Sequence, residues 1–262
     1  MPHFKIEELL KLPQHEQRSK EWFEQRYTKL TSSDAATVLD INPYSKYEDL
    51  VMKKCGYDEK PFVGNIATKH GQMYEDIAIE LYCRITGRIN YNFGLICYTD
   101  VHKHLEHYNS DYDFLAGSPD GIAESILDKD EEPILLEVKC PYRRKIIDGY
   151  IPEYYYPQVQ LNLIICNLCV ADFIEYCPST NKLNIVRIYR SYDWFDSKIP
   201  RLMQFWNDVL YYRKHSIETY PYYIQKKQKE ALKLEKAAKK SKKVTEKVTE
   251  AVTNKKCIII EQ

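Results

Sequence analysis

Three residues have the types and spacing to do chemistry. They are Asp120, within Ser118-Pro119-Asp120-Gly121, and Glu137 and Lys139, within Leu135-Leu136-Glu137-Val138-Lys139-Cys140-Pro141. Read as a strand, this second segment turns Glu137 and Lys139 to one face and Leu136 and Val138 to the other. An acid and a lysine on one strand face amid Ile, Leu and Val are costly unless that face lines a site. Pro119 and Gly121 mark a kinked turn that could deliver the Asp120 carboxylate beside Glu137. Two carboxylates plus a backbone carbonyl make an oxygen-rich donor set. Hard Mg²⁺ or Mn²⁺ prefers such a set and keeps several waters for chemistry. A nearby ammonium could orient or activate one of those waters, or offset charge developing on a phosphate. A plain surface Glu–Lys pair, worth about 0–1 kcal/mol, would leave the surrounding pattern unexplained.

Elements must hold these residues in place, and the flanking sequence supplies them. The N-terminal third reads as helical. Glu16–Thr28 carries Trp22, Phe23 and Tyr27 at helical spacing, mostly as a core stripe. Thr31 to Asp34 offers N-cap residues ahead of a helix over Ala35–Leu39, which Asn42-Pro43 ends. Tyr47–Cys55 reads as a helix closed by Gly56. Thr68–Thr86 is a longer one, with Met73, Ile77, Leu81 and Ile85 spaced by four. Strand-like runs follow at Ile89–Tyr98, Phe114–Gly117, Gly121–Glu124 and Ile134–Cys140, with Asp128–Glu132 as a polar turn. Tyr154–Asn167 is expected as a helix, Val170–Cys177 and Leu183–Tyr189 as a strand pair, and Tyr192–Ile217 as a closing helix that Pro200 either kinks or starts. This order indicates an α/β fold, a mixed central sheet flanked by helices.

With those blocks in view, the chain resembles the lambda-exonuclease branch of the PD-(D/E)xK nucleases, the YqaJ-type viral recombinase family. Asp120…Glu137-x-Lys139 matches the signature. The likeness runs from about Trp22 to Gln160: W-x-x-x-R at Trp22–Arg26, T-x-S at Thr31–Ser33, G-x-x-x-E at Gly71–Glu75, then S-P-D-G, E-x-K-C-P, and Q-V-Q at Gln158–Gln160 preceded by Tyr154-Tyr155-Tyr156. The resemblance implies a restriction-endonuclease-like fold and a site in which Asp120, Glu137 and the Val138 carbonyl bind one or two Mg²⁺ or Mn²⁺ ions. Lys139 would position or activate the attacking water, Glu75 would add a carboxylate, and Gln158 would orient the nucleophile or the metal shell. Arg26 and Ser33 would bind a 5′ phosphate, a role suited to a guanidinium and to a hydroxyl at a helix N-terminus. Trp22 is either core or a wedge stacked on terminal bases. Arg143, Arg144 and Lys145 would suit the backbone of the scissile strand or form a solvated loop. The family can carry a further acid before the S-P-D-G turn; Asp100, Asp111 and Asp113 are all candidates.

The resemblance further implies a metal-dependent 5′→3′ exonuclease acting on double-stranded DNA ends in viral or phage recombination and replication. Such an enzyme would feed a single-strand-annealing protein, and family members can form a ring-shaped trimer. The rivals are a structure-specific or restriction-like endonuclease, or an alkaline nuclease also cutting RNA, with the same site, and a catalytically silent DNA-binding scaffold.

Charge divides the chain. It carries 38 Lys+Arg and 38 Asp+Glu, a formal net charge of zero, yet residues 225–262 hold 12 Lys against 5 Glu. Residues 1–224 are therefore an acidic nuclease domain, and 225–262 a Lys-rich tail, disordered or partly helical, ending in Cys257–Ile260. The tail is the expected source of sequence-independent DNA affinity. No apolar run approaches a bilayer span and no signal core precedes the first helix, so a soluble cytoplasmic protein, or one at a viral replication site, is expected rather than a secreted one. Cys166 and Cys169, with Cys177 beyond, form a C-x2-C that reads as small hydrophobes on one helical face rather than half a metal cluster. His102, His104 and His107 read as a solvated loop.

Overall fold

The computed structural model describes residues 1–57 and 64–258, with side chains through 250. Its elements run α1 (Phe4–Leu10), α2 (Lys20–Tyr27), β1 (Leu30–Thr31), α3 (Ala35–Val38), α4 (Tyr47–Lys54), α5 (Ile66–Thr86), β2 (Arg88–Tyr91), β3 (Ile96–Cys97), α6 (Tyr98–His102) and β4 (Leu115–Gly117). β5 (Gly121–Ser125), β6 (Ile134–Lys139), α7 (Tyr156–Ile165), β7 (Val170–Cys177), β8 (Lys182–Tyr189), α8 (Tyr192–His215) and α9 (Pro221–Ile258) complete the chain. The five-stranded sheet has the order β2-β5-β6-β7-β8; β6 and β7 are parallel, bridged by α7, and the other pairs are antiparallel. A three-stranded sheet, β1-β4-β3, lies apart from it in hydrogen bonding.

Burial explains the two layers around β6. Leu136 and Val138 pack with Ala78, Ile79 and Tyr82 of α5 in one core cluster. α7 is apolar on almost every side and is buried from Val159 to Ile165, as a helix enclosed in a core must be. Its Gln158 and Asn162, four apart and so on one face, reach the carboxylate of Glu137.

Several expected faces are corrected. On α5, Met73, Ile77 and Ile85 are exposed, and the buried face is Ala78, Ile79 and Tyr82, where a small residue lets the helix approach the sheet. On α2 only Trp22 is buried, while Phe23 and Tyr27 face outward. The run expected as one strand over 89–98 is two strands in two sheets followed by a helix. The chain crosses between the sheets at Gly94, where a Cβ would lie 2.2 Å from the His15 carbonyl oxygen. His102 is not in a solvated loop: it is buried at the end of α6, stacked on Tyr98, with Nε2 2.8 Å from the Ile164 carbonyl. Cys166 and Cys169 do not share a helical face, because α7 ends at Ile165; Cys166 is buried and Cys169 exposed. Pro200 lies within α8, which starts at Tyr192.

Contacts divide the chain into two compact units, Met1–Leu210 and Tyr211–Gln262. The boundary between the units at Leu210 thus precedes the change in composition at residue 225. The Lys-rich segment is helical within α9, and the side chains of Cys257–Ile260 lie outside the described residues. Among the described residues, no helix is long and apolar enough to cross a membrane.

Candidate active site

β5 begins at Gly121, paired with Leu136, and a Cβ there would lie 2.0 Å from Asn90 Oδ1, so a larger residue would displace the Asn90 side chain. The chain therefore enters the sheet one residue after Asp120, and that aspartate extends the ladder with its side chain. Its backbone N–H donates to the Leu136 carbonyl at 3.2 Å, and its Oδ2 accepts the Val138 N–H at 2.6 Å. The S-P-D-G turn is braced twice from the N-terminal segment. Trp22 Nε1 donates to Ser118 Oγ at 3.1 Å, and Gln17 Nε2 donates to the carbonyls of Pro119 (3.2 Å) and Phe93 (2.9 Å).

Glu137 is wholly buried, 0% exposed, yet both of its carboxylate oxygens have partners. Lys139 Nζ pairs with Oε1, Gln158 Nε2 donates to Oε1 at 2.6 Å, and Asn162 Nδ2 donates to Oε2 at 3.3 Å. The same ammonium donates to the Val138 carbonyl at 3.1 Å, lies 3.8 Å from Asp120 Oδ2, and sits 5.5 Å from the Tyr155 ring centroid. Asp120, Glu137 and the Val138 carbonyl thus already converge on one cationic group.

Electrostatics follow from this crowding. Burial, with Asp120 and Glu75 adding, pushes the Glu137 carboxyl above its ordinary range despite Lys139. Glu75 on α5 is raised to about 7, first by burial and then by Asp120. Burial would lower Lys139, but Glu137 and Asp120 outweigh it, so Lys139 is held as an ammonium. Three carboxyls thus crowd the Lys139 ammonium, with Arg18 3.8 Å from Glu75, and a further cation would favour their ionised forms. Among the described residues, no three His, Cys, Asp or Glu side chains form a ready-made metal cluster. The donor set is instead two carboxylates and one carbonyl with Glu75 on the flank, which fits a hard divalent ion that keeps most of its waters. Asp120, Glu137 and Val138 would hold such an ion. When bound, it would supply a water of lowered pKa and polarise a phosphoryl oxygen.

A second polar cluster lies at the C-terminal end of α2. Arg26 Nη2 donates to Thr31 Oγ1 (3.1 Å) and Ser33 Oγ (2.8 Å), and its guanidinium stacks on the Trp22 ring, 4.3 Å from the centroid. Trp22 itself is buried with Leu95, Cys97 and Ala116, so its place is in the core rather than as a base-stacking wedge. Asp34 closes a capping box with Thr31 and pairs with the buried Lys54 at 2.9 Å. Burial would raise Asp34, but Lys54 and Arg26 outweigh it and hold the carboxyl at about 2. Burial lowers both Arg26 and Lys54, with Asp34 opposing. Among the described residues Arg26 and Lys54 both act on Asp34 here, and the Ser33 hydroxyl is exposed at the edge of the cluster.

The YqaJ-like viral recombinase domain model matches residues 21–169, which takes in both clusters. The chain belongs to that family. It is 34% identical over 181 residues to an uncharacterized protein of Acanthamoeba polyphaga mimivirus, covering 65% of this chain and 31% of that one. It is 28% identical over 172 residues to a protein of African swine fever virus, covering 57% and 46%. The chain thus spans less than half the length of these curated relatives. Among solved structures it is similar to an alkaline exonuclease (LHK-Exo) from Laribacter hongkongensis, with a TM-score of 0.57 and 21% identity over 81% of this chain and all of that one. The same exonuclease in complex with dAMP gives a TM-score of 0.58 at 20% identity, covering 75% and 95%. These likenesses establish the fold: a mixed α/β, restriction-endonuclease-like PD-(D/E)xK architecture.

Within this YqaJ-like domain, Asp120, Glu137, Lys139 and Gln158 come together, with Glu75 beside them, while Arg26 and Ser33 meet each other. Arg144 does not stand free as a backbone contact. It pairs with the buried Glu175, directly opposite Lys139 in the β6–β7 register, because a buried carboxylate there requires a cation. Arg143 is exposed, 5.5 Å from the Tyr142 ring centroid. Of the further acids, Asp113 accepts the Tyr108 hydroxyl, and Asp100 lines a separate cavity of about 450 Å³ near Cys166. Asn162, Gln17, Asp34 and Lys54 were not among the expected site residues. Asn162 had a signal, an amide four residues after Gln158 in an apolar helix; the Lys54–Asp34 pair had none, since the two lie 20 residues apart on separate elements.

Proposed function

We propose that the chain is a metal-dependent deoxyribonuclease that attacks double-stranded DNA at 5′ ends in viral DNA recombination or replication. The observation that carries this reading is the convergence of Asp120 Oδ2, Glu137 Oε1 and the Val138 carbonyl on one cationic position, with Glu75 beside them. Glu137 is fixed by Gln158 and Asn162, so its carboxylate is presented without rotamer freedom. Lys139, kept protonated, orients the attacking water or meets charge developing on the scissile phosphate. Gln158, hydrogen-bonded to Glu137, has its remaining amide capacity for the same water. Arg26 and Ser33 offer a guanidinium and a hydroxyl to a terminal phosphate, which supports action at 5′ ends. The bound dAMP named for LHK-Exo is compatible with a nucleotide product here.

The test is Mg²⁺-dependent release of nucleotides from end-labelled linear duplexes, set against closed circles, with Glu137→Gln as control. Release from linear DNA only, abolished in Glu137→Gln, is the expected result. Rapid nicking of circles would favour an endonuclease, and no metal-dependent cleavage at all would leave only a DNA-binding scaffold.

A further inference from the structure

Beside Asp120 and Glu75 opens a cavity of about 460 Å³ whose wall includes Gln14, His15, Gln17 and Arg18. Arg18 lies at φ +71°, in the left-handed region that favours glycine. Most other positive-φ residues besides glycine in the described chain are Asp or Asn (Asp40, Asn167, Asn181), whose short polar side chains tolerate it; Ser216 completes the set. A long cationic side chain in that conformation is held there by its surroundings. Gln17 is tied to the Pro119 and Phe93 carbonyls, Gln14 Oε1 accepts the Gly94 N–H at 2.8 Å, and the His15 carbonyl packs where a Gly94 Cβ would be. The turn that aims Arg18 is therefore fastened to the same S-P-D-G segment that aims Asp120.

The guanidinium pairs with Glu75 Oε2 at 3.8 Å, and its side chain is 51% exposed. So loose and solvated a pair is readily exchanged for a better anion. Arg18 precedes α2 and Arg26 lies in its last turn, with about 9 Å of helical rise from Lys20 to Arg26 at 1.5 Å per residue. Arg18 shares a cavity with the Glu75 and Asp120 carboxyls, so a phosphodiester entering there needs a cation beside it. We propose that Arg18 forms a second phosphate-binding site, gripping a backbone phosphate of the DNA strand that passes Asp120 and Glu75. The role rests on the nuclease reading above and adds a contact at the end of α2 opposite Arg26.

The test uses the full chain in a Glu137→Gln background with Mg²⁺, so that duplex DNA is bound and not cut, and reads affinity against salt. Arg18→Gly, which removes the charge and suits the backbone, is expected to weaken binding about tenfold and reduce the slope of log K against log salt by about 0.9, one phosphate contact. Its melting temperature should equal or exceed that of the parent. Arg18→Lys should retain the slope. An unchanged slope and affinity in Arg18→Gly, with the wild type cutting DNA normally, overturns the Arg18 site alone. A wild type that cuts no DNA overturns the nuclease reading and the Arg18 site with it.

Discussion

The end of β6 and the C-terminal end of α2 are built from the same materials with opposite balance. At β6, Asp120, Glu137 and Glu75 surround one ammonium, and burial and crowding push Glu137 and Glu75 up. At α2, Arg26 and Lys54 surround one carboxylate, and Asp34 is pushed down to about 2. Crowded carboxyls suit a cation at the first, and a guanidinium beside an exposed hydroxyl suits an anion at the second; on the proposed reading, a 5′ end would lie near Arg26 and the scissile bond near Glu137. The difference teaches that a buried ion pair is informative through what it leaves uncompensated.

The largest effect should come from removing charge at the negative cluster. Glu137→Gln keeps the shape and hydrogen-bonding size but loses a metal-holding oxygen charge, and single-turnover cleavage should fall by about 10³-fold or more. DNA binding should persist, which would separate the two clusters. At the positive cluster the parallel change, Asp34→Asn, strips the buried Lys54 of its carboxylate. It should cost about 3 kcal/mol of stability in chemical denaturation. A cost at Asp34 below that of a surface substitution would break the contrast.

Acid sharpens it further. The folded Asp34 carboxyl titrates at about 2, below its ordinary 3.8. Its contribution, about 2 kcal/mol by linkage, is complete above pH 3.8 and is lost as pH falls from there through 2. Wild type should lose this increment on acidification while Asp34→Asn should not, as read from denaturation midpoints.

The smallest effect on chemistry is expected from α9. Deleting residues 225–262 removes 12 Lys, so duplex affinity should weaken and its salt dependence flatten, while single-turnover cleavage of bound DNA persists. An unchanged salt slope would remove the tail from the DNA-binding account.

How much of this was legible in the sequence depends on the range of the forces involved. Asp120, Glu137 and Lys139 were readable because a strand's two-residue alternation and a Pro-Asp-Gly turn are local facts. So was the pairing of Val170–Cys177 with the strand over Leu183–Tyr189; the parallel β6–β7 pairing across α7 is seen only in the fold. The faces of α2 and α5 were misread because an apolar stripe states only which side could be buried; Ala78 and Tyr82, not Met73 and Ile77, meet the sheet. Arg144 could not be read, because its partner Glu175 arrives from another strand. Lys54 was hidden likewise, joining Asp34 and the carbonyls of Arg26 and Lys29 from a separate helix. Only the packed chain shows that Arg26, Asp34 and Lys54 meet.

The central claim, an anion site at Arg26 and Ser33 serving a cation site at Asp120 and Glu137, is tested most directly by one comparison. Linear duplexes bearing a 5′ phosphate or a 5′ hydroxyl are digested with Mg²⁺ by wild type and by Arg26→Ala. The account predicts that wild type attacks the phosphorylated end about tenfold or more faster, the worth of a charge-assisted contact, and that Arg26→Ala loses this preference while still cutting. Equal rates on the two ends by the wild-type protein would contradict it.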